Sequence, residues 1–125
     1  MNRIVLGLGS NTPEAEANIH KAILFLSERF PDLIHSSVYK TEPEGDAVPG
    51  SQYYNAVAKA STDLSTYEVI SMLKAYETEN GRSRVLKEKG IIPIDIDLVI
   101  HGEMILRPHE INCNYFRVGA DEIKI

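Results

Sequence analysis

Residues 92–100 read "IPIDIDLVI", a period-two alternation. Ile94, Ile96, Leu98 and Ile100 share one face of a strand, while Asp95, Asp97, Val99 and His101 share the other. The fully apolar set must meet helices, so one face of this strand is dry and the other open, as in an antiparallel sheet covered on one side. What the strand pairs with follows from the elements before it.

Residues 3–9, "RIVLGLG", are apolar and β-branched, and they end in the turn cluster Gly9-Ser10-Asn11. A helix follows, with Thr12 as N-cap, Pro13 in the first position and Glu14 and Glu16 where the helix dipole favours acids. Ala15, Ile19, Ile23, Leu26 and Phe30 form its apolar stripe. Residues 33–41 predict a second strand, residues 42–52 a loop rich in Pro and Gly, and residues 53–62, "YYNAVAKAST", a third strand. Ser65 and Glu68 have the spacing of a capping box, with Leu64 and Val69 as its hydrophobic staple. This second helix turns Val69, Met72, Leu73 and Tyr76 inward and ends at Gly81. Residues 82–91 are charged and aperiodic, a mobile loop, and an irregular tail starts at His101. The order β-α-β-β-α-β predicts an α+β, ferredoxin-like fold over a single domain, residues 1–125. Its antiparallel four-stranded sheet carries both helices on one face and leaves the other as an open platform.

With 43% hydrophobic and 25% charged residues over 125 positions, the composition is that of one soluble globular domain. A net charge of −5 argues against a protein that wraps nucleic acid. The single cysteine, Cys113, reads as an inert thiol and excludes an internal disulfide or a thiolate-rich zinc site. No apolar run approaches the ~20 residues of a membrane span, and the first residues read as a strand, not a signal peptide, so a cytoplasmic protein is expected.

Asp95 and Asp97 stand about 6.5–7 Å apart along the strand at ~3.3 Å per residue. Polar residues on a wet sheet face are ordinary, but aspartate is a poor strand former and two like charges on one face repel. A divalent cation reverses that penalty, and magnesium suits two carboxylates completed by phosphates and waters. Cations for those phosphates follow helix two: Arg82 and Arg84, then Lys87 and Lys89. The "GLGSN" turn, residues 7–11, lacks the spacing of a dinucleotide fingerprint and the lysine of a P-loop and reads as structural. His20 and His35 read as surface or strand positions, and His109, in "RPHE", is a candidate ligand contact.

Taken together, "GLGSN", "VYKTEP", "YYNAV", "ENGRSR", "IDIDL", "PHE" and "NYF" run across nearly the whole chain in an order that resembles the 6-hydroxymethyl-7,8-dihydropterin pyrophosphokinase family. The most diagnostic are "GRSR" followed by "IDIDL", and the pair Tyr53 and Asn55. The resemblance implies transfer of diphosphate from ATP to the pterin alcohol in folate biosynthesis, with AMP released. It implies that Asp95 and Asp97 bind two magnesium ions and that Arg82 and Arg84 belong to a loop closing over the triphosphate. Glu77, Leu98 and His109 would lie near the nucleotide. Thr41, Pro43, Tyr53, Asn55, Asp95 and Phe116 would line the pterin site, Phe116 by stacking. The implied partners are small molecules, with neither nucleic acid nor membrane, and the implied state is a monomer.

Against the family pattern, Lys89 and Ile92 stand where a tryptophan and an arginine are expected, only Arg117 follows the histidine, and the chain stops short of its relatives. The alternative is therefore a catalytically weakened relative that binds nucleotide or pterin as a sensor or partner protein. A ferredoxin-like interaction domain gives no reason for the two aspartates and Asn55 to share a platform.

Overall fold

The computed structural model describes residues 1–42 and 53–125. The elements in chain order are β1 (Asn2–Ser10), α1 (Ala15–Arg29), β2 (Ile34–His35), β3 (Tyr39–Thr41), β4 (Tyr53–Thr62), α2 (Thr66–Glu79), α3 (Arg84–Glu88), β5 (Asp95–His101), β6 (Met104–Ile105), a 3₁₀ turn (Pro108–Glu110) and α4 (Asn114–Glu122). The fold is α+β with an antiparallel sheet, ordered β2-β4-β1-β5-β6 with β3 also on β4.

The sheet has six strands where four were expected. The predicted second strand divides into β2 and β3 because Ser36 leaves the ladder: its hydroxyl accepts the Val57 N–H (2.9 Å) while its own N–H reaches the Val57 carbonyl (2.8 Å). The sixth strand, β6, is a short hairpin return that pairs only with Ile100 and His101.

One face carries the larger core. Ile4, Leu6 and Leu8 of β1, Ala58 of β4 and Ile96 and Leu98 of β5 pack under Ile19, Ala22 and Leu26 of α1 and Val69, Leu73 and Tyr76 of α2. Helix α2 opens with the expected capping box, the Ser65 hydroxyl accepting the Glu68 N–H (3.1 Å) and the Glu68 carboxylate the Ser65 N–H (3.0 Å). Helix α1 begins later than expected, at Ala15, because the Thr12 hydroxyl accepts from the Asn18 amide (3.2 Å) instead of capping.

The opposite face is not an open platform, and helices lie on both sides of the sheet. The expected irregular tail contains α4, whose Phe116 and Ala120 pack on Val5, Val57 and Val99. Gly119 makes this seat possible: a Cβ there would lie 2.7 Å from Val57 Cγ2, 2.8 Å from Tyr39 Oη and 2.9 Å from Ser36 Oγ. The Tyr39 hydroxyl ties the helix down, donating to the Tyr115 carbonyl (2.6 Å) and accepting the Gly119 N–H (3.0 Å).

A bulge corrects the predicted face of Ile100. Val5 pairs with Ile100 but Leu6 with Leu98, so Val99 is the extra residue and the alternation slips. Ile100 therefore joins Val99 in the α4-side core, and His101 turns the other way to bond the Leu64 carbonyl (3.0 Å).

Candidate functional site

The site forms where β1, β4 and β5 end together. The "GLGSN" turn acts as a latch on the chain entering β5. The Ser10 hydroxyl donates to the Pro93 carbonyl (2.6 Å), the Asn11 amide donates to the Gly90 carbonyl (2.6 Å), and the Asn11 amide oxygen accepts the Ile92 N–H (2.6 Å). Asn18 of α1 adds a bond to the Pro93 carbonyl (3.0 Å). The turn is structural, as read from its spacing, and it fixes where the two aspartates begin.

Asp95 and Asp97 both line a cavity of about 250 Å³ between the sheet and α4. Thr41, Tyr53, Asn55 and Phe116 line the same cavity, so residues from β3, β4, β5 and α4 meet there. Gly9 floors it beside Asn55, whose Oδ1 would lie 3.3 Å from a Cβ at that position. The Asn55 amide donates to the Thr41 hydroxyl (2.5 Å), while its buried oxygen has no hydrogen-bond donor among the described residues. An amide oxygen left in this way suits an N–H of a bound heterocycle.

The carboxylates are unequal. The Arg82 Nη1 donates to Asp95 Oδ1 (2.9 Å) and to the Ile94 carbonyl (3.1 Å). Burial pushes Asp95 up, but the hydrogen bond with Asp97 and the Arg82 guanidinium outweigh it and hold Asp95 below the usual carboxylate range. Asp97, with 14% of its side chain exposed, is pushed well up, first by burial and then by its bond to Asp95 and that residue's charge. Its cations are more distant, Lys74 Nζ at 3.8 Å and Arg107 Nε at 3.9 Å.

Glu77 sits behind the pair. Strand β6 does not reach the outer edge of β5 at Ile96, and the Glu77 carboxylate accepts that N–H instead (2.8 Å). Lys74 (3.3 Å) and Arg82 (3.6 Å) surround it, and burial raises its pKa. Leu98 is packed in the α1/α2 core, and His109 is exposed on the 3₁₀ turn, outside the cavity. Arg84 begins α3, a short helix within the segment expected to be loop; its side chain is 92% exposed and pairs with Glu88 (3.6 Å). Pro43 lies outside the described residues.

Sequence reasoning missed Arg107, Glu110 and Tyr115, which complete the cavity wall. Arg107 pairs with Glu110, and the Tyr115 hydroxyl donates to Glu110 (2.6 Å). Their signal is in two motifs: Arg107 and Glu110 flank the Pro-His of "RPHE", and Tyr115 is the tyrosine of "NYF". Arg117, the arginine that does follow the histidine, is tied to Asp121 and to the Ile111 and Ile125 carbonyls.

The donor set fits a hard cation. Two carboxylates of one strand face the cavity, one of them carrying a raised pKa, and no cluster of three or more His, Cys, Asp or Glu ligands occurs among the described residues. Asp95 and Asp97 could hold a hard cation such as magnesium only with other ligands, as two protein carboxylates do not make an all-protein cage.

The family model for 7,8-dihydro-6-hydroxymethylpterin-pyrophosphokinase matches residues 5–120. The chain is 32% identical over 126 residues to the 2-amino-4-hydroxy-6-hydroxymethyldihydropteridine pyrophosphokinase of Haemophilus influenzae, covering 98% of this chain and 75% of that protein. It is 33% identical to the enzyme of that name from Pseudomonas aeruginosa, with 96% and 74% covered, and 35% identical to the one from Aquifex aeolicus, with 86% and 66% covered. With nearly the whole described sheet and the cavity falling inside the matched residues, the chain belongs to the 7,8-dihydro-6-hydroxymethylpterin-pyrophosphokinase family.

Proposed function

We propose that this protein is the diphosphokinase that transfers diphosphate from ATP to 6-hydroxymethyl-7,8-dihydropterin in folate biosynthesis, releasing AMP. It acts as a monomer built from one pyrophosphokinase domain. The observation that carries this reading is the shared cavity: an acidic pair suited to metal-bound phosphates opens on the same space as Asn55, Tyr53 and Phe116.

In this reading Phe116 and Tyr53 give the pterin apolar contact, and the amide oxygen of Asn55 accepts from the ring edge while Thr41 fixes its orientation. The hydroxymethyl oxygen attacks the β-phosphorus, the bond from that phosphorus to the α-bridging oxygen breaks, and AMP leaves with that oxygen. Asp95, kept ionised by Arg82, is the candidate acceptor for the hydroxyl proton. Two magnesium ions, held by Asp95 and Asp97, would supply charge neutralisation on the phosphate oxygens. Glu77 and the Asn11 latch hold β5 so that the aspartates need not reorganise as charge develops. Arg84 and His109, both exposed outside the cavity, belong to the nucleotide side of this proposal, where closing of residues 82–91 brings cations to the triphosphate.

One observation favours a slower catalyst. Of the cations in the segment 82–91, only Arg82 reaches the carboxylates, and beyond Arg82 and Arg84 neither Lys89 nor Ile92 offers a further guanidinium. A missing electrostatic donor of this kind lowers a rate by about a hundredfold. AMP release paired with a pterin titration separates the alternatives: the enzyme forms AMP when magnesium, ATP and the pterin are all present, whereas no AMP above background from a protein that still binds the pterin refutes the diphosphokinase reading.

A further inference from the structure

The cations near the acidic pair are unequally committed. Arg82 donates through one terminal nitrogen to Asp95 and Ile94, and Lys74 is shared between Glu77 and Asp97. Arg107 differs from both. It lines the cavity, its Nε donates to Glu110 and lies 3.9 Å from Asp97 Oδ2, and its two terminal nitrogens make no hydrogen bond to any described residue.

Glu110 is mostly buried, and its second oxygen accepts from the Tyr115 hydroxyl (2.6 Å). The carboxylate is thereby fixed on one side by the helix α4 residue and fixes Arg107 on the other. A guanidinium held at Nε keeps both terminal groups parallel, the arrangement that matches two oxygens of a phosphate. Arg82 stands at Asp95 and Arg107 at Asp97, so the two arginines bracket the carboxylate pair. Resting on the pyrophosphokinase reading, we propose that Arg107 is a second phosphate-binding arginine of this site, which takes the nucleotide's polyphosphate through its terminal N–H groups while Glu110 and Tyr115 hold its Nε. Standing just before the 3₁₀ turn, it partly offsets the guanidinium that Ile92 does not supply from the loop.

The test is calorimetry of the full chain with magnesium and an α,β-methylene ATP analogue, which keeps the three phosphates but cannot be cleaved at the reacting bridge. Losing a charge-assisted pair weakens binding about 10- to 100-fold, so Arg107→Gln is expected to lose that much analogue affinity and Arg107→Lys less. Pterin affinity stays within about twofold, which a general collapse of the cavity would not permit. The double variant Arg107→Gln with Glu110→Gln stays weak. Analogue binding by Arg107→Gln equal to wild type overturns the assignment, as does recovery in the double variant, which would reduce Arg107 to a neutraliser of Glu110. Wild-type protein that binds no analogue removes both this assignment and the nucleotide-site reading, whereas normal wild-type binding with an indifferent Arg107→Gln removes only the former.

Discussion

Replacing Gly119 by alanine sets two effects of opposite sign against each other. In an exposed helix interior the change stabilises, because alanine is favoured over glycine by about 1 kcal/mol. At this seat the added methyl would lie 2.7 Å from Val57 Cγ2, 2.8 Å from Tyr39 Oη and 2.9 Å from Ser36 Oγ. Carbon atoms pack at about 3.5–4.0 Å, so α4 must lift by roughly 1 Å. The three obstacles come from β4, β3 and the break between β2 and β3, and no single rotamer change relieves them. Overpacking of this kind costs about 1–3 kcal/mol, and weakening the Gly119 N–H bond to Tyr39 adds about 1 kcal/mol. The clash wins: urea denaturation followed by circular dichroism should show Gly119→Ala destabilised by about 1–3 kcal/mol net of propensity. Val118→Ala, at a position 43% exposed, should change stability little. Because Tyr115 and Phe116 line the cavity one turn earlier, pterin affinity should fall, and nucleotide affinity should fall with it, since Tyr115 holds Glu110 and through it Arg107. A Gly119→Ala protein as stable as wild type would refute the close seating of α4.

Other perturbations report on the acidic pair and its support. Asp97 carries a raised pKa, so between the ordinary carboxylate range and its own the folded protein binds a proton that the unfolded chain has lost, and stability falls as pH rises through that window. In metal-free buffer at pH 8, Asp97→Asn should therefore be more stable than wild type by about 1–3 kcal/mol, with the gap closing in acid, while magnesium-dependent ATP binding is lost; chemical denaturation across pH checks the sign. Glu77→Leu leaves the Ile96 N–H without its acceptor and should cost about 2–3 kcal/mol, whereas Glu77→Gln, which keeps an acceptor, should cost less than half of that in the same denaturation experiment. Asn55→Ala removes the amide oxygen that faces the cavity and should weaken pterin binding about tenfold in a fluorescence titration, leaving ATP binding unaltered.

The sheet and its acidic face were legible because they are written in local patterns. Alternation placed Ile96 and Leu98 under the helices and Asp95 and Asp97 opposite, and the Ser65/Glu68 spacing located the start of α2. Long-range departures were not legible. The bulge at Val99, which turns Ile100 over, follows from its register against Val5 and Leu6, more than ninety residues away. The break in the second strand depends on Ser36 meeting Val57, and the unformed Thr12 cap on Asn18 competing for its hydroxyl. Helix α4 escaped notice because Gly119, a poor helix residue in isolation, is required by its contact with Val57 and Tyr39. At the site, "IDIDL" and "YYNAV" marked the residues that the cavity brings together, but the Arg107–Glu110–Tyr115 chain exists only once the 3₁₀ turn and α4 fold back beside β5.

The most direct measurement is to incubate the protein with magnesium, ATP and 6-hydroxymethyl-7,8-dihydropterin and to resolve the products by phosphorus NMR. The account predicts AMP and the pterin diphosphate in equal amounts, formed only when all three components are present and absent with Asp97→Ala. Formation of ADP with a pterin monophosphate, or AMP release that persists in Asp97→Ala, would contradict it.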